Sequence, residues 1–321
     1  MTATIDRRMI RRPLFRLFSA FFRRFYATPV ADLIWKIPGS MTLYRLLMGR
    51  LKPSTVEVLG HRIHLDPNDS LLLSVNGVYE ENEARLFEQS IRPGDVVVDI
   101  GGHIGYYTLL AARAVGPTGH VFAFEPERGN FALLVENVAN NGYADRVTAV
   151  NKAVMAENGE LRIYVSPDNA GDHHVYAVGD DDRPSYAIEG VALDDYFAGR
   201  ADRTVNVVKM DVQGAEPSAL RGMRGVLDAN DNVLLFTELA PPSLRDAGSS
   251  ARDYVEGLAD AGFELHVIDE DAGTVTHTPA EQLAGVGDFG REDFVNLVCA
   301  KGTAFSERIR GSETLRLVGA S

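Results

Sequence analysis

Three observations predict an α/β protein with a parallel sheet covered on both faces. Short apolar runs alternate with helical stretches over about 200 residues, from VVVDI to FVNLVCA. A glycine-rich turn, Asp99-Ile100-Gly101-Gly102-His103-Ile104-Gly105, joins the first run to the helical sequence YYTLLAARAV. The second run ends on an acidic residue, Glu125, 24 positions beyond Gly101.

The elements follow in order. The head, RRMIRRPLFRLFSAFFRRFY, places Pro13 at a first helical position, with Leu14, Leu17, Phe18, Phe21 and Phe25 at helical spacing behind it. Arg16, Arg23 and Arg24 lie off that stripe, as in a helix resting in an anionic headgroup layer. A helix that docks its stripe on the body or on a partner chain has the same pattern. Arg16 interrupts the apolar stretch and no cleavage site follows, so the head does not read as a secretory signal. A second helical piece, MTLYRLLMGRL, stops before Pro53.

VEVL, the turn Gly60-His61 and RIHL predict a short hairpin. Glu80 to Ser90 is an amphipathic helix carrying Leu86 and Phe87, and Arg92-Pro93-Gly94-Asp95 is a turn. Strands are expected at VVVDI, HVFAFE (120–125), RVTAV (146–150), LRIYV (161–165), VNVVKMD (205–211), NVLLFTE (232–238), ELHVI and FVNLVCA (294–300). Helices are expected at FALLVENVANN (131–141) and ARDYVEGLADAGF. The acidic GDDDRP (179–184) reads as a solvated loop. The resulting division is a basic head over 1–52, a hairpin lead-in over 53–76, a catalytic domain over 77–301 and a tail over 302–321.

Composition narrows the function. The 321 residues suffice for one large or two modest domains, and 45% apolar content supplies a full core. No run of about 18 apolar residues exists, so no spanning helix is expected. A single cysteine, Cys299, excludes a disulfide framework or cysteine-rich zinc module and fits a reducing, cytoplasmic setting. The net charge of −13 is unevenly distributed. Residues 1–52 hold eleven Lys/Arg against Asp6 and Asp32, leaving 21 basic and 43 acidic residues in the body. An acidic body argues against nucleic acid as partner, and a basic head suits peripheral contact at the inner face of a membrane.

Ligands of open α/β sheets bind at the carboxyl ends of strands, where glycines let them approach the backbone. The turn after VVVDI fails the dinucleotide pattern G-x-G-x-x-G: its third position is His103 when counted from Gly101 and Ile104 when counted from Gly102. That argues against a nicotinamide-dependent oxidoreductase. Asp99 sits badly beside a pyrophosphate and well beside an ammonium. S-adenosylmethionine offers an ammonium and a sulfonium and carries no phosphate. Glu125 stands near the offset at which an acidic residue accepts hydrogen bonds from both ribose hydroxyls, although Pro126 and Glu127 would also let it cap a helix.

Together VVVDIGGHIGYYTLL, FEPERGNFALLVENVANN, VALDDYF and VKMDVQGAEPSALRGM resemble the FkbM family of S-adenosylmethionine-dependent methyltransferases. The resemblance spans about residues 77–270 and includes Gly77-Val78-Tyr79-Glu80, with DVQGAE and the Asp172-His173 pair its more particular parts. It implies a class I methyltransferase fold, a Rossmann-like three-layer sandwich with a seven-stranded, mostly parallel sheet and a reversed last strand, for which FVNLVCA is the candidate. It further implies S-adenosylmethionine as cofactor, held by Glu80, Asp99, Gly101, Gly102, His103, Gly105, Glu125, Ala153 and Asp211. The implied reaction is methylation of a hydroxyl on a sugar, glycan or secondary metabolite. Two positions depart from the family pattern: Gln213 replaces a common glutamate, and His174 stands where arginine often follows the Asp-His pair.

The acceptor side draws on His173, Asp211 and Glu238. Histidine suits removal of a hydroxyl proton as attack proceeds. Asp211 and Glu238 end successive strands; Asp211 would hold the acceptor, assist the base, or share a divalent ion with Glu238 and His173. That ligand set is incomplete, so no metal is assigned. Structural roles compete: Asp211 as a helix N-cap, Glu238 as a loop cap before Pro241-Pro242, and adjacent histidines on a polar surface. A protein that keeps the cofactor fold but only docks at a membrane is the remaining alternative.

Overall fold

The computed structural model describes residues 52–167, 169–178, 183–199, 204–285, 294–309 and 316–318. The basic head to residue 51 and the first four residues of the GDDDRP segment, 179–182, lie outside the described residues. The chain divides into two compact units, Met1–Tyr79 and Glu80–Ser321. Among the described residues no helix is long and apolar enough to cross a membrane.

In the first unit, β1 (Thr55–Val58) and β2 (His61–His64) form the expected hairpin, with Val58 opposite His61. The turn is therefore Leu59-Gly60, one residue earlier than the sequence suggested. Both residues take positive φ, 47° and 84°, as a two-residue turn between twisted strands requires. Asp66 then accepts from the Asn68 and Ser70 backbone N–H groups, each at 2.9 Å, and leads into α1 (Leu73–Asn76).

The second unit is built on a nine-stranded sheet. Its strands are β3 (Val96–Ile100), β4 (His120–Phe124), β5 (Val147–Val150), β9 (Val207–Met210), β10 (Leu234–Leu239), β11 (Phe263–Asp269), β12 (Thr274–His277), β13 (Val295–Lys301) and β14 (Arg316–Val318). Their spatial order is β14-β12-β11-β13-β10-β9-β3-β4-β5. The strands from β11 to β5 are the seven expected, and β13 alone among these runs antiparallel to both its neighbours, β10 and β11. FVNLVCA is thus the reversed strand. The expected count was short by β12 and β14, which extend the β11 edge. β12 folds back on β11 across the turn 270–273, a local hairpin missing from the expected strands, while β14 pairs with β12 from far along the chain.

Strand alternation sorts the sheet into two unlike faces. One face carries Val98, Ile100, Val208, Met210, Leu235 and Leu297 against α5 (Leu193–Phe197), α6 (Glu216–Gly222), α7 (Arg224–Asp228) and α9 (Ala251–Asp260) in one apolar cluster. The opposite face carries Asp99 beside Lys209 in register, under α2 (Glu81–Ser90) and α3 (Tyr106–Ala114). Between β5 and β9 the chain forms a three-stranded sheet of β6 (Ala153–Val154), β8 (Ser185–Val191) and β7 (Gly159–Tyr164). Only β7 was expected there; the alternating, half-exposed SYAIEGV gave a weak signal.

Candidate active site

The glycine turn sits at the carboxyl end of β3 and is held from both sides. The Gly101 and Gly102 N–H groups donate to the Phe124 carbonyl at 2.9 and 3.0 Å, and Asp211 N–H donates to the Ile100 carbonyl at 3.0 Å. A Cβ on Gly101, whose φ is +84°, would meet the Asp211 carbonyl oxygen at 2.0 Å, so only glycine fits between these strand ends. Gly102 packs under Leu134 of α4 (Arg128–Asn140), whose Asn137 amide donates to the Ile104 carbonyl at 2.8 Å. Gly105, with φ +92°, opens α3.

Glu125 turns inward. Its Oε2 accepts from the His103 N–H and its Oε1 from the Glu127 N–H, both at 2.8 Å. Burial pushes its pKa up to about 8. Glu127, not Glu125, caps α4, accepting from the Asn130 N–H at 2.6 Å, so the helix-cap explanation of Glu125 fails. Asp99 is buried and accepts from the Thr108 hydroxyl, and burial raises its pKa to about 6.

A second group of charges surrounds the ends of β9 and β10. Lys209 Nζ pairs with Glu83 Oε1 at 2.8 Å and lies 4.7 Å from the centre of the Tyr107 ring. Burial alone would lower the lysine pKa, but Glu83, Asp211 and Glu80 together raise it, so the ammonium stays charged. The Tyr107 hydroxyl donates to Glu80 Oε2 at 3.1 Å, and the Asn296 amide donates to Glu80 Oε1 at 3.0 Å. Glu80 precedes α2 in a left-handed conformation, and Glu270 accepts from the Asn82 and Glu83 N–H groups at the start of that helix.

Gln213 donates its amide to Asp211 Oδ1 at 2.8 Å and lies 3.5 Å from Glu238 Oε2. Glu238 has its pKa raised well above the usual range by burial first, and then by Asp211, Glu216 and Glu80. Asp211 does not cap α6; Ala215 holds that position without a side-chain bond, and Glu216 instead accepts from the Val212 and Gly214 N–H groups. The α8 helix (Pro241–Asp246) likewise begins without a Glu238 cap. Both carboxylates are thus free of the structural duties that competed for them.

The histidines separate. His173 Nδ1 accepts from the Ser166 N–H at 3.1 Å, and the charges that act on it most are Glu127, Asp172, His174 and Arg183. His174 is buried, bonds to Asp172 Oδ1 at 2.9 Å and stacks on Tyr176 at 4.9 Å between ring centres. Tyr176 places its hydroxyl 2.6 Å from the Gln213 carbonyl. Ala153 packs with Ile163 and Ile188 in the small sheet. Among the described residues no group of histidine, cysteine and acidic side chains is arranged to hold a metal. Lys209, Gln213, Tyr176 and Asn296 went unassigned in the sequence. Lys209 alone carried a signal, as a charge inside the apolar run VNVVKMD, where burial demands a partner.

The donor set can be tested against the implied cofactor. Asp99, Glu125, Asp211 and Glu238 are carboxyl groups at the carboxyl ends of β3, β4, β9 and β10, and Glu80 is a fifth, ahead of α2. Such a set fits a ligand that brings hydroxyl donors and positive charge, and it has no cation aimed at a phosphate. The seven-strand order, reversed strand and acidic glycine turn define an S-adenosylmethionine-dependent methyltransferase of class I fold. More particularly, the chain belongs to the FkbM methyltransferase family: the family model described as Methyltransferase FkbM domain matches residues 99–265, just over half of its 321 residues. It is similar to the hexuronic acid methyltransferase AglP of Haloferax volcanii, 28% identical over 197 residues covering 60% of this chain and 74% of the relative. It is also similar to the 31-O-demethyl-FK506 methyltransferase FkbM of Streptomyces tacrolimicus, 30% identical over 227 residues covering 61% of this chain and 84% of the relative.

Proposed function

We propose that this methyltransferase acts on a hydroxyl oxygen of a sugar, glycan or similarly hydroxylated small molecule. The observation that carries the reading is the Asp211–Glu238 pair at neighbouring strand ends, with Gln213 between them, beside the glycine turn. The names of the two relatives, a hexuronic acid methyltransferase and a 31-O-demethyl-FK506 methyltransferase, support an oxygen acceptor.

When bound, S-adenosylmethionine supplies an electrophilic methyl group on sulfur. Glu125 would accept hydrogen bonds from its ribose hydroxyls, Asp99 and Glu80 would balance its ammonium, and the backbone of Gly101, Gly102, His103 and Gly105 would lie beneath it. Asp211 orients the acceptor hydroxyl, and holding the two reactants in line supplies much of the acceleration. Glu238, which burial and the neighbouring Asp211, Glu216 and Glu80 make more basic than an ordinary carboxylate, takes the hydroxyl proton as the oxygen attacks. His173 is less suited to that step. With Nδ1 accepting from Ser166, the neutral ring carries its proton on Nε2 and has no lone pair to offer there.

The test is transfer of a deuterated methyl group from S-adenosylmethionine to extracted envelope glycolipids and a panel of methyl glycosides, read by mass spectrometry. An O-methyl product is expected, and Glu238→Gln should lower turnover by about 10²–10⁴ with cofactor affinity kept. Methyl placed only on nitrogen or carbon, or full activity in Glu238→Gln, overturns the reading. The basic head fits an acceptor presented at an anionic membrane. Loss of pelleting with anionic vesicles on deleting residues 1–26, with cofactor binding kept, is the outcome that supports it.

A further inference from the structure

The residue between Asp211 and Glu238 is held unusually firmly for a side chain on a turn. Gln213 sits at φ +50°, in the left-handed region, followed by Gly214 at φ +99°. The Gln213 carbonyl accepts from the Tyr176 hydroxyl at 2.6 Å. The N–H groups on either side of it, from Val212 and Gly214, bind Glu216 at 3.1 and 2.8 Å. A Cβ on Gly214 would meet the Ser243 carbonyl oxygen at 2.5 Å and the Tyr176 hydroxyl at 2.6 Å, so the turn is packed closely on that side. The Gln213 amide nitrogen lies 2.8 Å from Asp211 Oδ1 and 3.5 Å from Glu238 Oε2.

An amide in that place does what a carboxylate cannot. It donates to Asp211 Oδ1 at 2.8 Å without adding charge. A carboxylate oxygen at the same distance from Asp211 would need a proton between the two oxygens, because like charges so close cannot both ionise. The surroundings leave little tolerance for such a charge. The charged groups around Asp211 are Lys209 from β9, Glu238 from β10, Asp99 from β3, Glu216 from α6, Glu83 from α2 and Glu80 ahead of it, with the Tyr176 hydroxyl on the Gln213 carbonyl. Lys209 is the one ammonium among these carboxylates, and it is paired with Glu83.

We propose that Gln213 is a positioning residue for the methyl transfer: its amide keeps Asp211 a free acceptor for the substrate hydroxyl and prevents Asp211 from sharing a proton with the turn. The proposal rests on the reading of Asp211 as the group that orients the acceptor. It gives a function to the amide where the sequence departs from DVEGAE.

The test is Gln213→Glu, which keeps the shape and removes the donor, beside Gln213→Met, which removes the donor and adds no charge. Folding of both is checked by thermal unfolding and by binding of S-adenosylmethionine. The first measurement is a carbon-13 NMR titration of the Asp211 carboxyl, assigned by its loss in Asp211→Asn. In Gln213→Glu the signal should titrate in two coupled steps, the later at least one pH unit above the step in the parent. The second is the pH dependence of kcat with the methyl glycosides. The acid limb should move up by about one unit in Gln213→Glu, with kcat recovered on the alkaline side and KM for S-adenosylmethionine within about threefold. Gln213→Met should lower kcat about tenfold or more at every pH, with the limb in place. An Asp211 titration unchanged in Gln213→Glu overturns the proposal, as does a superimposable rate profile. If Gln213→Glu does not fold, Gln213→Met decides: parent kcat there overturns it. A shifted Asp211 titration with no methyl transfer to any hydroxyl would instead sink the O-methyl reading and leave the placement of Gln213 standing.

Discussion

The two faces of the main sheet solve different problems with the same strands. On one face Val98, Val208 and Leu235 meet apolar helices, and the buried polar pair within it is Thr237 with Tyr254, joined at 2.7 Å. On the other, one residue along, Asp99 and Lys209 stand side by side, with Glu83, Tyr107 and Glu80 above them. The first face stabilises by removing apolar area from water. The second places several carboxylates out of water against one ammonium, an arrangement that costs stability and is typical of functional sites. Stability and chemistry are thus divided across the thickness of one sheet.

The largest effect expected from breaking that division is on the charged face. Glu83→Ala strands the Lys209 ammonium and should cost about 3–5 kcal/mol in denaturant unfolding, while the double variant Glu83→Leu with Lys209→Met should regain most of it. A single variant as stable as the parent would show that the pair is not the support of α2. On the apolar face, Leu235→Ala should cost about 2–5 kcal/mol through lost burial and a cavity. Its folded fraction should bind S-adenosylmethionine with parent affinity; weakened binding there would mean the faces are not separable.

pH sharpens the contrast further. The Glu125 carboxyl moves from 4.5 to about 8 on folding, so the folded chain binds more protons than the unfolded one in that window. Stability of the free protein should therefore be full below about pH 4.5 as far as this group is concerned and decline as pH rises toward 8. Cofactor affinity should run the other way, because ribose hydroxyls favour the ionised form, and binding at pH 7 should release protons. Calorimetry in buffers of unlike ionisation heat measures that release, and identical apparent enthalpies would contradict it. The smallest effect is expected at His173. His173→Ala should change turnover only a few-fold, since its Nδ1 is engaged by Ser166; a loss of about 10² or more would return the proton to the histidine.

What could be read from the sequence was what is local in it. The turn from Asp99 to Gly105 and the offset to Glu125 are fixed by consecutive residues, and the structure sets Glu125 on His103 beside that turn. The strand FVNLVCA was legible as a continuous apolar run, but its reversal came only from the family resemblance, because an apolar run carries no direction. The strand β14 and the sheet of β6, β7 and β8 depend on pairings between segments far apart in the chain, whereas β12 folds back on β11 across the short turn 270–273. The adjacent histidines show the same limit at a single residue. Nothing local distinguishes His173, turned toward Glu127, from His174, buried against Asp172 and Tyr176. Gln213 stood out as a departure, but its meaning required the 2.8 Å bond to Asp211.

The central claim is that the charged end of the sheet is a cofactor site organised by Glu125 and the glycine turn. Titration calorimetry of S-adenosylmethionine into the parent and into folded Glu125→Ala tests it most directly. The account predicts saturable binding by the parent and affinity weakened by about 1.5–3 kcal/mol in the variant, the range for hydrogen bonds to a charged group. An equal Kd for the two proteins would contradict it.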